Sequence, residues 1–378
     1  MRRHPVTLSA LVSTAALLGA LAGCSSTGAA ADTSASDSVA GSSASVPAPL
    51  DPAMDPATWS SERLASQLVI AGFEMNELSY ARSLATKGLG GITLYGTPPS
   101  SLKAQLADLN DATPGGHLLI ASDEEGGLVQ RLTPLLGPLP SAKKLSATKT
   151  PKQVQKVAAD YGTAMKQLGV NVNLAPVADL AVAGHFIDNE GRSFGKDPST
   201  VIKYTSSWTT GTESAGVMPV IKHWPGHGSA SDTHTGSGLT PNWSVVKNRD
   251  AVPFRAAFEQ DVPAVMVGHL IVPGLTEPDT PASLSPNALA TVRKEGGPKL
   301  LIMTDALSMD AVTGAMNQTT REAVLRSLIA GSDMASLSGA RAPGTIDAIA
   351  RAIDSGRYPK AQAIESAKRV LAAQLKWS

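Results

Sequence analysis

The sequence predicts an α/β fold, a single (β/α)8 TIM-type barrel with a C-terminal helical tail. Three observations carry this expectation. From about Thr58 one theme recurs: a helical pattern leads into a short apolar run, which ends in polar or glycine-rich residues. The runs, such as "VIAGFE" and "LLIMT", are continuously apolar, as strands buried on both faces of a parallel sheet are. About eight such units occupy roughly 320 residues, which suits a (β/α)8 barrel. An open doubly wound sheet is the competing architecture, and the length needs no second domain.

Each unit can be read in turn. "SERLASQL" leads to "VIAGFE", "ARSLATKGL" to "GGITLYG", and "LKAQLADLND" to "HLLIASDEEGG". "KQVQKVAADYGTAMKQLG" leads to "VNVNLAPVADL", and "VIKYTSSWTTGTESAG" to "VMPVIKHWPGHG". "VPFRAAFEQD" leads to "PAVMVGHLIVPG", "NALATVRKEGG" to "KLLIMTDALSM", and "REAVLRSLIAG" to "SDMASLSG". A helical tail closes the chain.

The first residues have a different character. "MRRHP" is a basic n-region, and the apolar run after it is too short for a confident membrane span. Residues 1–23 therefore read as a signal peptide. "LAGC" looks like a bacterial lipobox ending on Cys24, the chain's single cysteine, which excludes an intrachain disulfide. Acyl chains on Cys24 would anchor the protein to a membrane surface without spanning it. An ordinary signal peptide with an incidental cysteine is the alternative. Residues 24–55 hold Ser, Ala, Gly, Thr and Pro with almost no large apolar side chains, so a flexible tether is expected. The barrel is expected over 56–378. With 42% hydrophobic and 17% charged residues, the 378-residue chain suits a globular protein, and its formal net charge of +0 argues against nucleic acid as a partner.

In a (β/α)8 barrel the chemistry sits where strands end. The polar residues there are Asp123, Asp179, Lys222, His223, His269 and Asp305. Asp305 closes a very apolar strand, where a charge is costly without partners; it is either a catalyst or the N-cap of the next helix. Asp123 and Arg131 in "SDEEGGLVQRL" suit recognition of a polar ligand such as a sugar diol, or else form a structural ion pair. Arg192, in the polar insertion "DNEGRSFGKDP", is a weak signal alone. "KHWPGHGSASDTHTG" crowds His223, His227 and His234 onto one loop, with glycines 226, 228 and 236 expected to let it move. Asp232 is spaced to orient His234, which makes a general acid and then base near neutral pH. A metal site built from His223, His227, Asp232 and His234 is the rival, although an irregular loop does not preset its geometry.

Four motifs, "DEEGGLVQRL" (123–132), "GRSFGKDP" (191–198), "KHWPGHG…DTH" (222–234) and "TDALSM" (304–309), resemble glycoside hydrolase family 3, in its single-domain β-N-acetylglucosaminidase branch. The resemblance runs from about residue 56 onward. It implies Asp305 as nucleophile and His234 as acid/base, partnered by Asp232. It implies Asp123, Arg131, Arg192, Lys222 and His223 as the groups that hold N-acetylglucosamine, with no metal and no cofactor. Where the family loop often has aspartate and serine, this chain has Ser229 and Thr233. A retaining mechanism through a covalent intermediate is then expected, with water as the second nucleophile and phosphate as an alternative. The expected substrate is a peptidoglycan fragment with terminal β-linked N-acetylglucosamine, met outside the cytoplasmic membrane of a bacterium by a lipid-anchored monomer. A metal-dependent barrel hydrolase and a lipoprotein that only binds sugar are the other classes.

Overall fold

A computed structural model describes residues 54–378. The signal peptide, Cys24 and most of the tether expected from the sequence lie outside the described residues.

Eight strands pair in parallel, each with its neighbours in sequence: β1 (Val69–Glu74), β2 (Gly91–Tyr95), β3 (Leu119–Ser122), β4 (Val172–Asn173), β5 (Met218–Trp224), β6 (Ala264–Val267), β7 (Leu301–Ala306) and β8 (Met334–Ser338). The circle closes where Val69 pairs with Ala335 and Gly72 with Ser338. This closure rules out the open doubly wound sheet. A helix follows every strand, Ala342–Asp354 being the one after β8, and one more, Lys360–Trp377, finishes the chain.

Local sequence sets where the helices begin. Thr150 with Gln153, and Thr319 with Glu322, form capping boxes that satisfy otherwise orphaned N–H groups. Proline occupies the first turn of the helices at 151–168, 198–214 and 286–296, where its missing N–H costs nothing. Gly169 ends the first of these in the left-handed conformation, at φ 95°.

The barrel interior is a layer of side chains from alternate positions: Leu119 and Ala121, Met218 and Val220, Ala264 and Met266, Leu301 and Met303. Val370 and Trp377 of the last helix join this cluster. Gln374, also on that helix, donates to the Gly90 carbonyl and accepts from Gln67, both just ahead of barrel strands. The C-terminal tail therefore plugs the N-terminal end of the barrel and leaves the other end for function.

A buried carboxylate fastens that lower end. Asp333 accepts from the Ile302 N–H (2.9 Å), the Ser366 hydroxyl (3.0 Å) and Arg369 (2.9 Å), and it also pairs with Arg293. It thus ties β7 to two outer helices. Among the described residues no helix is long and apolar enough to cross a membrane. Asp333→Ala should lower unfolding stability in urea by about 2–3 kcal/mol, because it strips two arginines of their partner. Activity at 25 °C should survive, since the lost contacts lie at the closed end.

Candidate active site

At the C-terminal end of the strands lies a cavity of about 530 Å³. That volume falls within the roughly 300–1,000 Å³ usual for small-molecule sites. Its wall includes Asp123 after β3, Lys222 and His223 on β5, Asp305 on β7, and Arg131, Arg192, Asp232 and His234 from loops. All eight residues singled out for catalysis or sugar binding therefore meet at one place.

After β3 the chain turns into a short antiparallel hairpin, Glu124–Gly126 against Val129–Gln130. Side chains alternate along extended chain, and the three successive carboxylates divide accordingly. Asp123 reaches Lys222 Nζ at 2.7 Å, and Glu125 reaches the same ammonium at 2.6 Å. Glu125 also accepts two bonds from Arg192, at 2.7 and 2.9 Å. Glu124 faces away; its carboxylate accepts from Ser122, from Tyr161 and from the N–H groups of Arg131 and Leu132, which shapes the hairpin.

This arrangement decides two points that the sequence left open. Asp123 pairs with Lys222, and no Asp123–Arg131 pair forms. The Arg131 guanidinium lies 5.8 Å from the Tyr95 ring centre, with its Nε lacking a partner. Arg192 is no solvated loop arginine: it is 8% exposed and held by Glu125. Burial opposes the charge on Glu125, but Lys222 and Arg192 overcome it and hold the carboxyl at about 2. Burial likewise opposes the charge of Lys222, and Asp123 and Glu125 outweigh it, so its pKa is raised.

Asp179, expected at a strand end but lying in the irregular segment six residues past β4, and His269, just past β6, stand behind the wall. Asp179, fully buried, accepts from the backbone N–H groups of His223 (3.2 Å) and His227 (2.7 Å) and from His223 Nδ1 (2.7 Å). Burial alone would raise its pKa, and these neighbours bring it below the ordinary value. It fixes the His223 ring in the cavity wall. His269 bonds the Ala306 carbonyl through Nε2 (2.9 Å) and Ser283 through Nδ1 (2.7 Å), so it braces the backbone beside Asp305. Burial lowers its pKa.

Asp305 is not a helix cap. The next helix starts at Thr320 and is capped by Thr319. The Asp305 carboxylate lies deep in the cavity and accepts its neighbour's N–H, from Ala306, at 2.8 Å. Burial opposes its ionisation; His269, His223, the Ala306 N–H and Lys222 prevail and hold it at about 2.

The loop after β5 carries the remaining pair. His234 Nδ1 lies 2.7 Å from Asp232 Oδ1, which also accepts the His234 N–H at 2.9 Å. The Phe186 ring stands edge-on to His234, at 6.3 Å between centres. Two of the loop glycines serve packing, not motion. A Cβ on Gly226 would meet Asp250, and one on Gly228 would strike the Leu180 carbonyl; only at Gly236, of the three, is there open space. His227 is buried, its pKa lowered to about 4 first by burial and then by His223, and its Nδ1 has no partner. Among the described residues no group of three or more His, Cys, Asp or Glu side chains is arranged to hold a metal ion. Of the four proposed loop ligands, Asp232 pairs with His234, His223 pairs with Asp179 outside the set, and the His227 ring lies 3.4 Å from Thr233 Oγ1, so the four do not converge on one point.

Sequence reasoning missed Glu125, Tyr95, Phe186 and Glu190, all on the cavity wall. Glu125 was legible: the period of two that brings Asp123 inward brings residue 125 with it. Phe186 and Glu190 sit in an irregular insertion that no periodicity orients.

A barrel-mouth cavity walled by paired carboxylates and cations is the class of site that holds a small hydroxyl-rich ligand and acts on it with carboxylate and imidazole. Residues 62–373 match the glycosyl hydrolase family 3 N-terminal domain, and the chain belongs to that family of glycoside hydrolases. It is similar to beta-hexosaminidase LpqI of Mycobacterium tuberculosis, 37% identical over 339 residues that cover 86% of each chain. The solved structure of M. tuberculosis LpqI superposes with a TM-score of 0.78 at 35% identity, covering 86% of this chain and 96% of that one. A glycosyl hydrolase of family 3 from Mycobacterium smegmatis gives 0.78 at 38% identity, covering 85% and 98%. A family 3 β-N-acetylglucosaminidase from Paenibacillus gives 0.77 at 29% identity, covering 83% and 62%.

The Glu125 network sets an expected pH response. A carboxyl held at about 2, against an ordinary value of 4.5, contributes stability that is complete above 4.5 and is lost as pH falls towards 2. Glu125→Gln should be about 3 kcal/mol less stable than the parent protein at pH 7, because Lys222 and Arg192 lose a buried counter-charge. In urea unfolding the gap should narrow between pH 4.5 and pH 3.

Proposed function

We propose that the protein is a retaining exo-β-N-acetylglucosaminidase that releases terminal N-acetylglucosamine from peptidoglycan fragments during cell-wall turnover. The single observation that carries the reading is that Asp305, on β7, lines the same cavity as His234, whose ring is held by Asp232. The relatives named as hexosaminidases and β-N-acetylglucosaminidase supply the sugar.

In this scheme Asp305 attacks the anomeric carbon while His234, protonated with help from Asp232, gives its proton to the leaving oxygen. The sugar is then bound covalently to Asp305. His234, now neutral, takes a proton from water, which releases the sugar and restores Asp305. The low pKa of Asp305 keeps it anionic, so it also faces the positive charge that develops in the transition state. Lys222, His223, Arg192, Asp123 and Arg131 offer donors and acceptors for the sugar hydroxyls. Because Lys222, Arg192 and Glu125 are already paired, little reorganisation is needed when the ligand enters.

The test is release of p-nitrophenol from a p-nitrophenyl N-acetylglucosaminide, with and without EDTA. The account expects turnover that EDTA leaves unchanged. Asp305→Ala should abolish turnover of every substrate. His234→Ala should cost roughly 10²–10⁴-fold on a natural glycan, where the leaving oxygen needs the proton, and far less on a dinitrophenyl glycoside. Equal loss on both would remove His234 from the acid role.

The reading extends to location: a lipid on Cys24 holds the barrel at the outer face of the membrane, at the end of the tether of residues 24–55. Expressed in a bacterium and partitioned in Triton X-114, the full chain should enter the detergent phase. Cys24→Ala should move it to the aqueous phase with unchanged catalysis.

A further inference from the structure

The Asp232–His234 pair is separated by a residue the reaction scheme does not use. Thr233 is 2% exposed, while the side chains of Asp232 and His234 are 31% and 61% exposed. Three contacts hold this buried residue between its two exposed neighbours. Its carbonyl accepts the Ala311 N–H at 3.2 Å, and Ala311 lies just beyond β7, the strand that carries Asp305. Its Oγ1 lies 3.4 Å from His227 Nε2, a long contact. Its methyl occupies the space that a side chain at residue 238 would take; a Cβ on Gly238 would come within 2.7 Å of Thr233 Cγ2.

Each of these partners is fixed in its own right. The His227 N–H is held by Asp179, the carboxylate that also orients His223. Gly238 begins a two-residue parallel pairing with Leu270–Ile271, just after β6. Thr233 therefore packs against both ends of its own loop, at His227 and Gly238, and ties that loop to Ala311 in the segment after β7. Asp232 and His234, bonded mainly to each other, take their position from the residue between them.

We propose that Thr233 is a positioning residue: a buried plug that seats the loop and so fixes where the His234 ring meets the leaving-group oxygen. This rests on the acid/base reading of His234 given above. A proton donor displaced by about an ångström costs on the order of 10²-fold in rate, so the plug matters most where protonation matters most. The methyl and the carbonyl carry the effect, because the hydroxyl contact is long.

The test compares Thr233→Gly, Thr233→Val and His234→Ala on a natural-type glycan and on a dinitrophenyl N-acetylglucosaminide. Thr233→Gly should lower kcat on the glycan by about 10- to 100-fold and on the dinitrophenyl substrate by less than about threefold. Retained turnover of the activated substrate also shows that the variant is folded. Thr233→Val, which keeps the methyl and puts a second methyl of similar size in place of the hydroxyl, should recover most of the loss. If Thr233→Gly falls equally on both substrates, or on neither, while His234→Ala discriminates between them, the plug is refuted and the acid/base reading stands. If His234→Ala itself shows no discrimination, the acid/base reading fails and the plug falls with it.

Discussion

The ammonium of Lys222, closed between Asp123 and Glu125 at 2.7 and 2.6 Å, is the interaction on which the rest of the site depends. A lone charge at 3% exposure would cost several kcal/mol. Glu125 offsets part of that cost, and Arg192 in turn balances Glu125. The chain of alternating charges binds the loops after β3 and β4 to strand β5. It also lends positive potential to Asp305, whose burial would otherwise favour the neutral acid. One network therefore holds the cavity's shape and, together with His269, His223 and the Ala306 N–H, favours the ionised form of its proposed nucleophile.

A second buried carboxylate, Asp179, works on the opposite side of the same wall. It receives the backbone N–H groups of His223 and His227 and the ring of His223. One anion thereby sets the root of the loop and the orientation of a cavity imidazole. Residues at the tip are then placed by contacts with the rim, and Asp232 and His234 can remain exposed without being unplaced. The division is consistent with a group that must meet both an entering sugar and water.

Much of this was legible in the sequence, for physical reasons. The barrel was legible because the strands are continuously apolar, as strands buried on both faces are, and a helical pattern leads into each of them. Strand ends then located Asp123, Lys222, His223 and Asp305 on the right face. Pairings were less legible. Nearness in the chain offered an Asp123–Arg131 ion pair as the alternative to ligand recognition, whereas Asp123 pairs with Lys222, 99 positions away. Arg192 looked ordinary because its partner, Glu125, is 67 positions away. The loop glycines looked like hinges, yet Gly226 and Gly228 are small because other backbone lies against them. Local sequence reports periodicity and caps; it does not report which distant charge a side chain will meet.

The account's central claim is that the carboxylate of Asp305 forms the bond to the sugar. The direct measurement is to inactivate the enzyme with a 5-fluoro N-acetylglucosaminyl fluoride, which slows the second step, and to map the labelled peptide by mass spectrometry. The account predicts one sugar per chain, attached at Asp305 within "TDALSM". A label on another carboxylate would contradict it, as would time-dependent inactivation of an Asp305→Ala protein that still turns over substrate.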